Sequence, residues 1–346
     1  MKHLTILTLS ALMLLCTGCA NKYAGTASNY GIPANKKAIM DDFVAGKLPS
    51  SYVPAAFFAH FPGPKQGEGA VRSHLDFYLR GNADILKVQF EQSAPNIRDY
   101  EKQETWDNIK PMPEDFYRPT LEVVKGIQAI AGKDVYVLPT IYSPFQVAFH
   151  ALKEKGVRYA AVNRPDDLKR LLDNYATALK WLVRECKNAG IEGFYMTCQG
   201  GEKKYYNIPD FYKNFVRPYD LEVMNYCAEG TKMNMLHICD WEGVYDDLTR
   251  YADYPGHIIN TPIDLDGTIV TMKDAVKMFG GRPVLGGLER KGIIISGKAE
   301  DVAKASAKAI ADGPAGKMML GAECTVSSAP MENIHAAIAT AHRGGK

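Results

Sequence analysis

Short apolar runs recur along the chain, and longer stretches with apolar residues at every third or fourth position separate them. Eight such runs are bounded by glycine or charged residues, and they cover residues 55–61, 85–89, 135–140, 193–197, 235–239, 257–260, 284–286 and 318–321. The runs are continuous rather than alternating, which is typical of strands that are buried on both faces. The pattern therefore predicts eight strands in a parallel sheet.

The stretches between these runs have the periodicity of amphipathic helices. Residues 166–188 have apolar side chains at three- and four-residue steps, begin after Pro165 and stop before Gly190. Residues 298–312 are rich in alanine and end at Gly313. Similar stretches, each predicted to be a helix, cover residues 69–80, 120–131, 210–227, 243–251, 272–279 and 331–342.

Eight strand–helix units predict an α/β fold of the (β/α)8 TIM-barrel type, a single domain that typically takes about 250 residues. A doubly wound open sheet is the alternative. The chain has no GxGxxG motif after a strand and no GxxxxGK motif followed by serine or threonine, which argues against the nucleotide-binding version of that sheet. In a barrel the chemistry lies at the carboxyl ends of the strands, so functional residues are expected there.

The first residues of the chain indicate a targeting signal. Basic Lys2 precedes an apolar run at 4–15, which suits a signal peptide and is too short to span a bilayer. The following LCTGC at 15–19 resembles the lipobox of bacterial lipoproteins, in which the last cysteine, here Cys19, is lipidated. An ordinary cleaved signal peptide is the alternative.

This pattern divides the chain into three parts. We expect a lipoprotein signal peptide at 1–18, a lipidated tether and N-terminal segment at 19–50, and the barrel at 51–346. The protein is then expected in the bacterial cell envelope, attached to the membrane through the lipid on Cys19 and facing the periplasm or the outside.

Composition and charge exclude several classes of protein. With 46% hydrophobic and 23% charged residues, the chain has an ordinary globular composition, which excludes a disordered or fibrous protein. Lys plus Arg number 41 and Asp plus Glu number 39, so no basic excess indicates a nucleic-acid partner. Of the seven cysteines, Cys16 and Cys19 lie in the signal region. The remaining cysteines are odd in number, so at least one thiol stays free or binds another group.

Three residues at predicted strand ends form a candidate metal site. In His237-Ile238-Cys239 the imidazole and the thiol point to the same face of a strand, about 6–7 Å apart along the backbone. Cys324 follows the eighth predicted strand, at the same mouth of the barrel. Two sulfurs and one nitrogen favour Zn²⁺, and three protein ligands leave the open position that a catalytic zinc needs. The alternatives are ordinary interior side chains, or a disulfide between Cys198 and Cys324.

The candidate catalytic residues are Asp84, Tyr195 and Glu323, which lie at or beside predicted strands. Asp84 and Tyr195 are expected to contact a substrate because of their positions in the barrel. Glu323 adjoins Cys324, so on a regular strand its carboxylate points to the opposite face and reaches the site only where the strand has ended. Ion pairing with Arg290, Lys291 or solvent is the alternative for a carboxylate in this region.

Several short segments resemble the uroporphyrinogen decarboxylase superfamily. Residues 282–289, 319–324 and 330–333 are similar to its C-terminal third, and residues 84–88 and 139–145 are similar to its second and third strand segments. Leu236-His237-Ile238-Cys239 is similar to the strand-five segment of its methyltransferase branch, which includes the methylcobamide:coenzyme M methyltransferases. The resemblance extends over residues 55–342 and again implies a (β/α)8 barrel.

In that branch an HxC motif and a later cysteine bind zinc, which coordinates a substrate thiol and lowers its pKa. The thiolate then attacks a methyl group that a corrinoid usually carries. His237, Cys239 and Cys324 match these three positions. The resemblance thus implies an enzyme with Zn²⁺ as its cofactor, a corrinoid as methyl donor, a corrinoid protein as partner, and a thiol or methylated small molecule as substrate.

Two further hypotheses come from the same resemblance. The decarboxylase branch grips the acidic side chains of a porphyrinogen with an arginine-rich N-terminal segment and a barrel aspartate, which Asp84 matches by segment. Only Arg72 and Arg80 precede residue 90, so a carboxy-lyase of porphyrin metabolism is the second hypothesis. The third, suggested by the export signal, is a lipoprotein that binds a tetrapyrrole or corrinoid without turnover.

Overall fold

The computed structural model describes residues 31–346, so the predicted signal peptide and Cys19 lie outside the described residues. In this range the strands are β1 (Ile85–Val88), β2 (Tyr136–Tyr142), β3 (Tyr195–Cys198), β4 (Met235–Ile238), β5 (Ile258–Asn260), β6 (Asp264–Leu265), β7 (Thr268–Ile269), β8 (Val284–Leu288) and β9 (Met318–Ala322). The α-helices are α1 (Lys36–Val44), α2 (Gly67–Gly81), α3 (Gln103–Asp107), α4 (Arg118–Ala131), α5 (Pro144–Asn163), α6 (Pro165–Asn188), α7 (Arg217–Ala228), α8 (Met272–Met278), α9 (Ile293–Ser296), α10 (Ala299–Asp312) and α11 (Met331–His342). None of these helices combines the length and the apolarity that crossing a bilayer requires.

Seven strands form one parallel sheet in the order β1-β2-β3-β4-β5-β8-β9. The segment around Ala55 fills the eighth position, between the two edge strands. Ala55 forms a parallel bridge with Leu320 of β9, and its carbonyl oxygen accepts a 2.9 Å hydrogen bond from the backbone N–H of Asp84, just before β1. The sheet therefore closes on itself, and the predicted α/β fold, a (β/α)8 TIM barrel, is confirmed.

Closure of the barrel depends on a close approach of two backbones at Gly321. The backbone N–H of Ala56 donates a 2.9 Å hydrogen bond to the carbonyl oxygen of Leu320. A Cβ atom at position 321 would lie 2.6 Å from the carbonyl oxygen of Ala56, which is closer than real Cβ contacts allow. Any larger side chain would push the closing segment away from β9, so glycine is required here.

All eight predicted strands occupy barrel positions, but one predicted helix is mostly absent and four helices, α1, α3, α5 and α9, were not predicted. Residues 243–251 form only a short 3-10 helix at Thr249–Tyr251, because the Asp247 side chain accepts hydrogen bonds from the backbone and hydroxyl of Thr249 and favours a turn. Helix α5 was not expected. It is buried over much of its circumference and is interrupted at Lys153 (φ 60°, ψ 172°), so its apolar positions do not repeat with one helical period.

Candidate metal centre

The structure brings the three predicted ligands together at the carboxyl end of the barrel. His237 lies in β4, Cys239 follows the same strand by one residue, and Cys324 follows β9 by two. One ligand atom from each residue lies within 4.8 Å of the others, and all three side chains are buried. Alternation along the strand explains the first two, since residues two apart point to the same face.

The two cysteine thiols are hydrogen-bonded to each other, and this contact shifts their pKa values in opposite directions. A hydrogen bond between the thiols, followed by burial, raises the pKa of Cys239. The same hydrogen bond, together with the adjacent His237 imidazole, holds the pKa of Cys324 well below its usual value despite burial. The lowered pKa favours the thiolate of Cys324, which is the form in which sulfur binds metals.

The donor set fits a thiophilic cation. The Nδ1 atom of His237 is buried and has no hydrogen-bond partner, which is a costly state for an imidazole nitrogen. Two sulfurs and a nitrogen are the donors that zinc prefers, and three ligands are the number found in catalytic zinc sites. We call these three residues the candidate zinc site.

A cavity of about 340 Å³ opens above the candidate zinc site, at the mouth of the barrel, and all three ligand residues line it. Its wall also contains side chains that can exchange protons or carry charge, namely His60, Lys87, Glu91, Tyr142, His150, Tyr195 and Glu242. No arginine is among the described residues that line it. A pocket of this size suits a small ligand.

Lys87 is a cavity residue that the sequence did not single out. It lies in β1 and is buried, its ammonium donates a 2.8 Å hydrogen bond to Gln89, and the nitrogen lies 4.5 Å from the ring centroid of Tyr195 and 5.3 Å from that of Phe58. Burial lowers the pKa of Lys87 to about 8, although the nearby thiols oppose this shift. A lysine inside an otherwise apolar strand run was the feature of the sequence that could have indicated a cavity residue here.

Tyr195 forms part of the cavity wall, as predicted from its strand position. Its hydroxyl donates a 2.9 Å hydrogen bond to the side-chain oxygen of Asn260, whose amide nitrogen donates to the carbonyl oxygens of Leu285 and Ala322 at 3.0 Å. Burial raises the pKa of Tyr195 far above its usual value, so the phenol stays neutral. The ring is thus locked in place across four barrel positions.

Asp84 lies apart from the cavity. It precedes β1 and therefore sits at the amino end of the barrel, opposite the mouth. Its carboxylate accepts hydrogen bonds from Lys36 (2.8 Å), Tyr52 (2.6 Å) and the backbone of Ala55 (2.7 Å), and it lies 2.9 Å from Nε2 of His342. Burial alone would raise its pKa, but the His342 and Lys36 contacts hold it below the usual value. This geometry assigns Asp84 a structural position rather than the predicted catalytic one.

Glu323 does not line the cavity, although β9 ends at Ala322 and its side chain is therefore no longer held to strand alternation. Its carboxylate accepts a 2.8 Å hydrogen bond from the backbone N–H of Arg290, whose guanidinium also pairs with Asp240. Desolvation raises the pKa of Glu323 despite these contacts. The structure therefore does not bring Glu323 to the candidate zinc site.

The alternative disulfide is absent from the structure. Among the described residues all five cysteines are free. Cys198 does not line the cavity, and its thiol donates to the carbonyl oxygen of His237 at 3.6 Å. Cys186 and Cys227 are buried in helices α6 and α7, as expected for ordinary core thiols.

Comparisons with known proteins agree with this architecture. The family model described as "Uroporphyrinogen decarboxylase (URO-D)" matches residues 85–344. The fold is similar to that of a methyltransferase from Methanosarcina mazei, with 15% sequence identity, a TM-score of 0.67 and coverage of 90% of this chain and 98% of that one. It is also similar to a B12-independent methionine synthase from Shewanella sp. W3-18-1, with 14% identity, a TM-score of 0.50 and coverage of 84% and 95%. No curated protein matches the chain.

Proposed function

The chain belongs to the uroporphyrinogen decarboxylase family, and we propose that it is a zinc-dependent, methyltransferase-like enzyme of that family. In this proposal His237, Cys239 and Cys324 hold the ion, and a thiol or a methylated small molecule enters the cavity from the mouth of the barrel. The proposal includes a corrinoid as methyl donor, delivered by a partner protein.

The observation that carries the proposal is the convergence of one imidazole and two thiols from two separate barrel positions on a single point at the cavity floor. A zinc ion held there would supply Lewis acidity that ionises a bound thiol near neutral pH. The thiolate character of Cys324 and the unpartnered Nδ1 of His237 both favour a cation at this point.

Other side chains of the cavity wall support the same chemistry. The ammonium of Lys87 places positive charge inside the cavity, which favours the ionised form of a thiol ligand over its neutral form. The buried wall around Tyr195 limits water near the sulfur of a bound thiol ligand. A less solvated thiolate is a stronger nucleophile toward a methyl group. These residues bind and orient the ligand, whereas Asp84 and Glu323 do not face it.

Porphyrinogen decarboxylation is less well supported. That reaction has to accommodate a ligand with many carboxylates, which requires a dense group of cations. Among the described residues that line the cavity, Lys87 is the one lysine and there is no arginine. Asp84 lies at the opposite end of the barrel. A protein that binds a tetrapyrrole or corrinoid without turnover is the remaining alternative.

We also propose that the protein is attached to the bacterial cell envelope through a lipid on Cys19. The support for this proposal is the sequence pattern at 1–19. The test is membrane fractionation of a Cys19→Ala protein. Release of this variant from membranes agrees with the proposal, and fractionation identical to wild type contradicts it.

Zinc analysis of the purified protein tests the enzymatic proposal. We expect about one zinc per chain in wild type and its loss in His237→Ala, Cys239→Ser and Cys324→Ser. Cys227→Ser is the matched control, since Cys227 is also buried but lies in α7, away from the site. The absence of zinc from wild type, or its retention in all three site variants, contradicts the proposal.

A second assay separates catalysis from binding. Zinc-loaded protein is mixed with methylcobalamin and 2-mercaptoethanol, and the methylated thiol is measured. Methyl transfer that depends on His237 supports the proposed enzyme. Shifts of the visible corrinoid bands without methyl transfer favour the binding protein, and carbon dioxide release from a porphyrinogen favours the decarboxylase.

A further inference from the structure

Lys87 is a buried cation in the wall of the cavity, and the structure gives it no carboxylate partner. The residue is only 9% exposed, yet it lines the cavity beside the candidate zinc site. An ammonium has three N–H donors. Within residues 31–346 its one hydrogen-bond acceptor is the side-chain oxygen of Gln89, at 2.8 Å, and no aspartate or glutamate forms a salt bridge with it. A buried charge without a counterion is costly, so this one requires an explanation.

Glu91 is the carboxylate whose charge acts on Lys87, and it is already paired with other groups. One of its oxygens lies 2.9 Å from Nδ1 of His60, and the other lies 3.3 Å from the ammonium of Lys65. Burial alone would raise the pKa of Glu91, but the contacts with His60 and Lys65 hold it below the usual value. The negative charge of Glu91 is therefore held at the rim of the cavity and does not pair directly with Lys87.

The sulfurs of the candidate zinc site do not balance Lys87 once a metal is bound. Burial lowers the pKa of Lys87 to about 8, and the charges of Cys324, Glu91 and Cys239 oppose this shift. A divalent ion held by the two cysteines would offset the negative charges of their sulfurs. In the zinc-loaded protein the ammonium is then a positive charge that a ligand can neutralise.

Tyr195 contacts both Lys87 and the nitrogen donor of the candidate zinc site. The ammonium nitrogen lies 4.5 Å from the centroid of the Tyr195 ring, and that centroid lies 5.4 Å from the centroid of the His237 ring. The ammonium is therefore within about 10 Å of the imidazole, along one wall of the cavity. A zinc–sulfur bond of about 2.3 Å, a short thiol acid extended over on the order of 5 Å and a charged hydrogen bond of about 2.8 Å cover this distance.

We propose that Lys87 binds an anionic group of the substrate, and that the substrate is a small thiol that carries a carboxylate. The inference rests on the proposed thiol chemistry and names the substrate class of that same site. The sulfur of the ligand binds the metal, and its carboxylate accepts a hydrogen bond from the ammonium of Lys87. This charge-assisted hydrogen bond fixes the far end of the ligand and thereby orients its sulfur.

The rest of the cavity wall favours a ligand with one negative group. Among the described residues that line the cavity, Lys87 is the one lysine and there is no arginine. Burial lowers the pKa of His150, so its ring is neutral near pH 7. His60 at the rim is paired with Glu91. One buried ammonium balances one negative charge, so a monocarboxylate suits the cavity better than a dianionic phosphate or a polycarboxylate.

Two thiols that differ in one charge test the proposal. Calorimetry measures the binding of 3-mercaptopropionate and of its neutral isostere 3-mercaptopropionamide to zinc-loaded protein at about pH 7. We expect the preference for the carboxylate over the amide to be at least about tenfold greater in wild type than in Lys87→Met. Lys87→Gln is a second neutral variant and should show the same change. Lys65→Met is the matched control, since Lys65 is a lysine at the rim that is paired with Glu91, and it should keep the preference of wild type.

The outcomes distinguish this inference from the proposed function. A preference that falls in both Lys87 variants, but not in Lys65→Met, supports Lys87 as the anion-binding residue. An unchanged preference in the Lys87 variants overturns this role and leaves the thiol chemistry standing, because both thiols still bind. That result includes an equal loss of affinity for both thiols, which would assign the ammonium to the metal-bound sulfur alone. No binding of either thiol to zinc-loaded wild type overturns both the role of Lys87 and the proposed function.

Discussion

The ring of Tyr195 lies on the ring of His237, with centroids 5.4 Å apart and planes inclined by 30°. The nitrogen donor of the candidate zinc site is therefore backed by an aromatic wall, and that wall is itself fixed by the hydrogen bond from Tyr195 to Asn260. Stacking of this kind limits the rotation of the imidazole, so it prepares the donor for an ion.

Tyr195 variants separate the effect of the ring from that of the hydroxyl. Tyr195→Phe keeps the stacked ring but leaves the Asn260 oxygen unpaired, so we expect a loss of about 1–3 kcal/mol in the free energy of unfolding with zinc binding retained. Tyr195→Ala removes the ring as well, and zinc affinity should fall by about tenfold. Denaturant unfolding and competition with a chelator measure the two effects, and equal zinc affinities in both variants would contradict the role of the ring.

Lys87 predicts a pH dependence of stability. The pKa of Lys87 is about 8 in the folded chain and 10.5 when the side chain is exposed. Between these pH values the unfolded chain binds more protons than the folded chain. The contribution of this group to the free energy of unfolding of wild type therefore rises with pH in this range. Lys87→Met lacks this gain. We expect the variant to be more stable than wild type near pH 7, and the difference to shrink by about 3 kcal/mol as the pH rises toward 10.5.

Urea unfolding of the zinc-free proteins across this pH range measures the effect of Lys87. Lys47→Met is the control, since Lys47 is exposed. A difference between wild type and Lys87→Met that does not vary with pH would show that the ammonium is solvated rather than buried.

Asp84 is predicted to matter for stability and not for the site. Asp84→Asn leaves buried Lys36 without its carboxylate, and breaking such a pair costs about 3–5 kcal/mol. Because the pKa of Asp84 is lowered, this contribution is present above its ordinary value of 3.8 and is lost as the pH falls below it. Zinc content should be unchanged, and Asp76→Asn, at an exposed pair with Arg80, should have little effect on either property.

Removal of the proposed zinc ion should expose a reactive thiol at one position. In chelator-treated protein the thiolate of Cys324 should react with iodoacetamide near neutral pH, because its pKa is lowered and it lines the cavity. Cys186 and Cys227 should stay unmodified, since burial raises the pKa of each. Peptide mass spectrometry measures the labelling, and zinc should protect Cys324. Labelling of Cys227 at the same rate would contradict the prediction.

The barrel was predictable because strands buried on both faces are continuous apolar runs, and all eight such runs became barrel positions. The HxC spacing also predicted that His237 and Cys239 face the same side, since residues two apart on a strand share a face. Asp84 was misplaced because a residue before a strand lies at the end opposite to the mouth.

Other parts of the site leave no periodic signal in the sequence. Lys87 looks like an ordinary charged residue until the neighbouring strands enclose it. The pair of His60 and Glu91 joins positions that are far apart in the chain, so only closure of the barrel reveals it. The course of residues 243–251 depends on the Asp247 turn, which competes with helix formation.

Lys36 near the beginning of the described chain and His342 near its end both bind Asp84, at the amino end of the barrel. Both ends of the fold therefore leave from the face opposite to the opening. A sensor chip or bead that holds the protein by a tag at the carboxyl end would present the cavity outward, so immobilisation should leave small thiols and bulky carrier proteins with an unobstructed approach.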